Sequence, residues 1–190
     1  MFRLLLSVLF LIPIPLLANE TENIVTETFD NQEINTDITF VYGASDTVVS
    51  AATTQNPECA NLNEQGLIGI EDMDCFAGEY FGNDRYQLGI RGSSDNLTIA
   101  FPNEPYEVGF NYGAIDQEGG VSGVVYYDNG ASENFTLDVN TDMSEAGSKV
   151  FAVAEGVDTF ITEIVIEGIT DWWLIDNVYY KYDIPNNTPP

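Results

Sequence analysis

The groups able to do chemistry in this chain are overwhelmingly carboxylates. Its 190 residues carry 31 Asp plus Glu against five Lys plus Arg, with no His and two Cys. One carboxylate stands out by its setting. Asp176 lies inside WWLIDNVYY, residues 172–180, an apolar and aromatic run that reads as a buried strand. A polar group buried without partners costs on the order of several kcal/mol, so Asp176 needs backbone N–H donors or a cation. Ile175 and Val178 both have core character, yet a regular strand would point them to opposite faces. An irregularity at Asp176 and Asn177 resolves the conflict, and β-bulges often re-aim a side chain towards a site.

Catalysis finds little support. Without His there is no His-dependent triad and none of the common zinc hydrolase sites. A glycoside hydrolase needs two carboxylates, but no pair stands apart among so many, and IEDMDCF does not match the jelly-roll glucanase pattern Glu-x-Asp-x-x-Glu. Carbohydrate recognition asks for something else: aromatic faces against sugar C–H groups, and amide or carboxylate side chains for the hydroxyls. Tyr80, Phe81, Tyr126 and Trp172 are the aromatic candidates outside the clear core pattern. Adjacent strand residues point to opposite faces, and Trp173 shares its parity with Ile175, which leaves Trp172 as the tryptophan expected to be available. With 11 Phe, 10 Tyr and two Trp in the chain, most aromatics are expected to fill the interior.

The chain opens MFRLLLSVLFLIPIPLLANE, one Arg before a compact apolar stretch that ends in Leu16, Leu17 and Ala18. This is the anatomy of a secretory signal peptide over residues 1–18; Pro13, Pro15 and a length short of about 20 apolar residues argue against a membrane span. Cleavage removes Arg3 and leaves Arg85, Arg91, Lys149 and Lys181 as the basic residues. So negative a field repels nucleic acid and anionic lipid, excludes both as partners, and attracts divalent cations. In a secreted chain the pair Cys59 and Cys75 is expected to form a disulfide, contributing roughly 3 kcal/mol by restricting the unfolded chain. The loop it closes contains the acidic cluster 71–74, read as solvated, with a second cation site as the alternative. Asn-x-Ser/Thr sequences begin at Asn19, Asn96, Asn134 and Asn186.

The elements that must position these residues are strands. Alternation recurs from about residue 26 to 183, and no segment sustains a helical apolar period. In YEVGFNYGA, Tyr106, Val108, Phe110 and Tyr112 share one face, with Glu107, Gly109, Asn111 and Gly113 on the other. YQLGIRG and NLTIAF read as two strands joined across residues 92–95. VSGVVYYDNGASENFTLDV reads as a hairpin about Asn129 and Gly130. DTFITEIVIEG alternates Phe160, Thr162, Ile164 and Ile166 against Ile161, Glu163, Val165 and Glu167. Many short strands with frequent turns predict an all-β fold, a two-sheet antiparallel jelly-roll sandwich over residues 19–184, followed by a disordered tail at 185–190.

An acidic residue beside a Phe in an early strand (Glu27, Thr28, Phe29, Asp30), paired with a last strand reading Trp-x-x-Ile-Asp-Asn-Val-x-Tyr, resembles the galactose-binding-like jelly rolls, carbohydrate-binding modules among them. The resemblance extends over about residues 26–183 through VGFNYGA, VVYYDNG, KVFAVAEG and ITEIVIEG; the insert between the two cysteines has no counterpart in it. It implies a structural Ca²⁺ where the first and last strands meet, held by Asp176 with Glu27 or Asp30 and by loop carbonyls, in keeping with the six to eight oxygen ligands the ion takes. The reading that follows is a secreted, non-catalytic, calcium-stabilised module whose partner is a carbohydrate. The alternatives are an extracellular surface or matrix protein-interaction domain and, behind it, a carboxylate-dependent glycoside hydrolase or lyase. The expected location is extracellular, with the periplasm or cell surface also open.

Overall fold

A computed structural model describes residues 21–29, 34, 36–42, 47–48, 68–72, 86–91, 96–115, 118–140, 146–154, 156–168 and 172–184. The expectations for the leader at 1–18, Asp30, Cys59, Cys75, Tyr80, Phe81 and the tail at 185–190 lie outside these residues. The strands are β1 (Thr21–Glu27), β2 (Thr39–Tyr42), β3 (Thr47–Val48), β4 (Ile68–Asp72), β5 (Tyr86–Arg91), β6 (Asn96–Ala100), β7 (Glu107–Gly113), β8 (Val121–Tyr127), β9 (Ser132–Thr136), β10 (Gly147–Ala152), β11 (Ile161–Gly168) and β12 (Trp172–Ile184). They form two antiparallel sheets. The first runs β10-β7-β12-β5-β4, with β1 also paired to β12; the second runs β3-β2-β6-β11-β8-β9. The fold is the expected all-β sandwich.

Alternation builds the core between the sheets. The first sheet contributes Val108, Phe110 and Tyr112 from β7, Phe151 from β10, and Trp173, Ile175, Val178 and Tyr180 from β12; the second meets them with Phe40, Leu97, Ile99, Val121, Val125, Phe135, Ile164 and Ile166. Each large apolar side chain buried here stabilises the fold by roughly 1.5–3 kcal/mol. Two aromatics reach further by lying over glycines on a neighbouring strand. A methyl group on Gly123 would sit 2.5 Å from Phe135 Cζ, and one on Gly147 would sit 2.4 Å from Tyr112 Cζ. Glycine at these positions leaves room for the ring, and the ring covers the exposed backbone.

Three local outcomes bear on the sequence reading. The 121–139 segment forms the expected hairpin, with Gly130 at φ 83° and its N–H donating to Tyr127 O at 3.0 Å. The strands β5 and β6, close in sequence, belong to different sheets and do not pair with each other. In β11 the register slips between Ile161 and Glu163, so that Ile161, expected on the face opposite Ile164, joins it in the core.

Candidate functional site

The centre of interest is a break along β12. One flank of this strand pairs with β7. The other is divided between β5, which pairs with residues 172–175, and β1, which pairs with residues 178–184. Asp176 and Asn177 lie between the two. Here the register against β7 also slips: Asp176 opposes Asn111 while Tyr179 opposes Gly109. Asn177 takes φ 48°, a left-handed conformation that Asn tolerates because its short side chain bonds locally. Its N–H donates to Asp176 Oδ1 at 2.7 Å and its Nδ2 to Asp176 Oδ2 at 3.2 Å. The bulge brings both Ile175 and Val178 into the core, as their character demanded.

Glu27 ends β1 opposite Val178. Its Oε1 accepts the Phe29 N–H at 2.9 Å and its Oε2 the Thr36 hydroxyl at 3.3 Å. Phe29 sits at φ 55° and packs edge-on against Phe40 with ring centroids 5.5 Å apart. Glu27 is 1 % exposed and Asp176 0 %, so the topology brings two buried carboxylates to one break. Both are hard oxygen donors of the kind Ca²⁺ takes. Among the described residues no cluster of three or more His, Cys, Asp or Glu could hold a metal, so within them any further ligands would be carbonyl, amide or hydroxyl oxygens.

Past the bulge, the outer face of the same sheet carries a second constellation. Thr26, Tyr179, Gly109 and Val150 register in one row across β1, β12, β7 and β10, and Ile24, Lys181, Glu107 and Ala152 in the next. Tyr179 lies across Gly109, where a methyl group would sit 2.6 Å from its Cε1. Phe135 and Tyr112 use the same device facing inwards, where packing requires it; Tyr179 faces out. Ile24 and Val150 beside it are 57 % and 49 % exposed.

A polar network borders the ring. Tyr179 Oη donates to Glu107 Oε1 at 3.0 Å, and Lys181 Nζ lies 3.1 Å from the same oxygen and 3.2 Å from Glu22 Oε1. Glu107 Oε2 takes part in none of these bonds, which leaves it as an acceptor at the ring's edge. Burial, then the Glu107 hydrogen bond and charge, push the Tyr179 phenol up to about 12. Burial and the Glu22 carboxylate do the same to Tyr106, also to about 12. The hydrogen bonds of Lys181 to Glu107 and Glu22 raise its ammonium above the usual range, while Lys181 and then Tyr106 hold Glu22 below the usual carboxylate range. A lowered carboxylate is the opposite of what a general acid needs.

Of the aromatic candidates, Tyr126 and Trp172 lie on strands of different sheets. Tyr126 is 38 % exposed, on the outer face of the second sheet, with Asn96 and Asn134. Trp173 is 1 % exposed in the core, as its parity with Ile175 suggested, while Trp172 begins β12 on the first sheet and its side chain lies outside what is described. Tyr179 was missed. Its signal was an outward position next to inward Tyr180, but its support, Gly109, became visible only once β12 was registered against β7.

No protein-family model matches the chain, and no curated protein matches it. Solved structures are similar in fold. TmCBM61 in complex with β-1,4-galactotriose aligns over 83 % of this chain and 94 % of its own, at 14 % identity and TM-score 0.46. An exo-β-agarase aligns over 85 % of this chain, which spans 25 % of the agarase chain, at 12 % identity and TM-score 0.48. A CBM29-2 variant of the family 29 carbohydrate-binding modules aligns over 85 % of this chain and 92 % of its own, at 10 % identity and TM-score 0.41.

Proposed function

We propose that the protein is a secreted, non-catalytic glycan-binding module whose binding face is the outer surface of the first sheet around Tyr179. The observation that carries this reading is the outward-facing ring laid across Gly109. Inside the sandwich that arrangement completes the core; outside, it offers a supported aromatic surface to a sugar ring. Thr26 and Val150 continue its row, and Glu107 Oε2 can accept a sugar hydroxyl. A hydrogen bond to a carboxylate is roughly twice as strong as a neutral one.

The calcium reading belongs to the same proposal. Ca²⁺ at the β12 break would be held by Glu27 and Asp176 with added carbonyl oxygens, and would tie the end of β1 to the bulge that sets the direction of Tyr179. Its contribution is electrostatic cross-linking of two strands, with no part in any reaction. A protein-interaction domain is the second reading, favoured by the exposure of Ile24 and Val150 on the same face. Affinity electrophoresis of wild type and Tyr179→Ala in gels containing soluble polysaccharides distinguishes them. Retention of wild type by at least one polysaccharide, weakened about tenfold or more in the variant, equivalent to about 1.4 kcal/mol, supports the glycan reading. Retention unchanged by the substitution removes Tyr179 from it, and no retention across a broad panel favours the protein-interaction domain.

A further inference from the structure

Resting on that glycan-binding reading, we infer that the Tyr179 face takes uncharged glycans and turns away polyanionic ones. Among the described side chains, the cation on this face is committed. Lys181 is bound to Glu107 at 3.1 Å and Glu22 at 3.2 Å, and Asp183 stands directly opposite Glu22 in the β1–β12 register. One ammonium is therefore shared by two carboxylates, with a third acidic residue on the neighbouring register position. A sulfate or uronate group reaching Lys181 would have to displace one of these two carboxylates, which remains tethered beside it, with the other still facing the incoming charge.

The other basic side chain among those described offers no alternative. Lys149 lies at the edge of the sandwich, 5.7 Å from the Phe135 ring centroid and 5.9 Å from that of Phe151, with Nζ 3.4 Å from Thr136 O. It closes the seam between β9 and β10. Beyond the face, the whole chain carries a formal net charge of −26, and its field reaches an approaching polyanion over about 10 Å at 0.1 M salt. An uncharged sugar meets none of this. Its C–H face can lie on Tyr179, and its hydroxyls can donate to Glu107 Oε2, an acceptor that a carboxylate or sulfate ester, having no proton to give, cannot use. Lys181 thus acts as a positioning residue: it holds Glu107 and Glu22 in place and reads no anion itself. The ligand class follows from this arrangement, because the charged group beside the ring that is free of these bonds, Glu107 Oε2, is an acceptor.

The test is isothermal titration of the full secreted chain with uncharged polysaccharides (a β-glucan, a xylan and a galactan) and with polyanionic ones (polygalacturonate, alginate and a sulfated galactan), each at 20 and 500 mM NaCl. The expected result is binding to at least one uncharged polysaccharide, with Kd changing less than about twofold between the two salt concentrations because no net charge is paired, and affinity for every polyanion at least tenfold weaker at 20 mM. A polyanion bound tightly at 20 mM NaCl and released at 500 mM would overturn the inference while leaving the glycan-binding reading intact. Binding to neither class would overturn both.

Discussion

Tyr179 and Tyr180 are consecutive, yet their environments divide them. Tyr180 is 1 % exposed, accepts a hydrogen bond from Asn103 Nδ2 at 3.1 Å and stacks on Tyr182 with centroids 5.5 Å apart. Tyr179 points outwards, and its phenol is bound to a carboxylate that must keep it protonated. This gives an alkaline signature. The phenols of Tyr179 and Tyr106 are raised from 10.0 to about 12 in the fold, and the Lys181 ammonium is raised from 10.5. A raised folded pKa means that the protonated form is favoured by folding, so the contribution is complete below about pH 10 and is lost as pH rises through the folded values. The melting temperature is predicted to fall between pH 10 and about 12, with a smaller fall in Tyr179→Phe, which removes one of the titrating groups. A melting temperature flat across that window, or an identical slope in the variant, would contradict the network. Chain chemistry alone made Asp176 conspicuous, because a carboxylate within a hydrophobic run is costly wherever it lies. Tyr179 was not conspicuous, because its meaning depends on a glycine 70 residues earlier in the sequence.

At the scale of elements, the bulge in β12 was legible and the one in β11 was not. Ile175 and Val178 are core residues on conflicting parities, so an irregularity had to lie between them. In β11, Phe160, Thr162, Ile164 and Ile166 already make a plausible alternation without a bulge, and Ile161 looks like an ordinary outward residue until its burial is seen. The pair β5 and β6 was legible as two strands but not as members of different sheets, because sheet membership is decided by the partners of each strand. The β12 break is also where calcium would act. Extracellular modules bind Ca²⁺ with Kd near 10⁻⁴–10⁻³ M, so ten to a hundred times Kd adds roughly 1.4–2.7 kcal/mol, a rise of roughly 3–10 °C for a chain of this size. Melts in EDTA, millimolar Ca²⁺ and Mg²⁺ at matched ionic strength are predicted to show that rise in Ca²⁺ alone, and not in Asp176→Ala. Identical melts in Ca²⁺ and Mg²⁺ would leave Asp176 as a bulge residue satisfied by hydrogen bonds such as those from Asn177.

Over the whole molecule, charge is the dominant feature. With a formal net charge of −26, self-repulsion opposes the compact state, and added salt screens it. The melting temperature is predicted to climb between 20 mM and 0.5 M NaCl, most of the gain coming where the Debye length falls below about 10 Å. A fall with salt would mean that pairs such as Lys181 with Glu22 and Glu107 outweigh the repulsion. The sandwich itself was readable from alternation and turn chemistry, since two sheets burying one set of alternate residues is the simplest way to satisfy so many short strands. Which outer face binds was not readable, because Tyr126 and Tyr179 are equally ordinary tyrosines in the sequence and only the sheet assignment places them on opposite sides.

That assignment supplies the most direct test. An amide chemical-shift titration of the labelled protein with an uncharged oligosaccharide reports which face is touched, whatever the affinity. Shifts concentrated at Thr26, Gly109, Val150 and Tyr179 are the predicted result; shifts concentrated instead at Tyr126, Val124 and Thr98 would place the ligand on the second sheet and contradict the account.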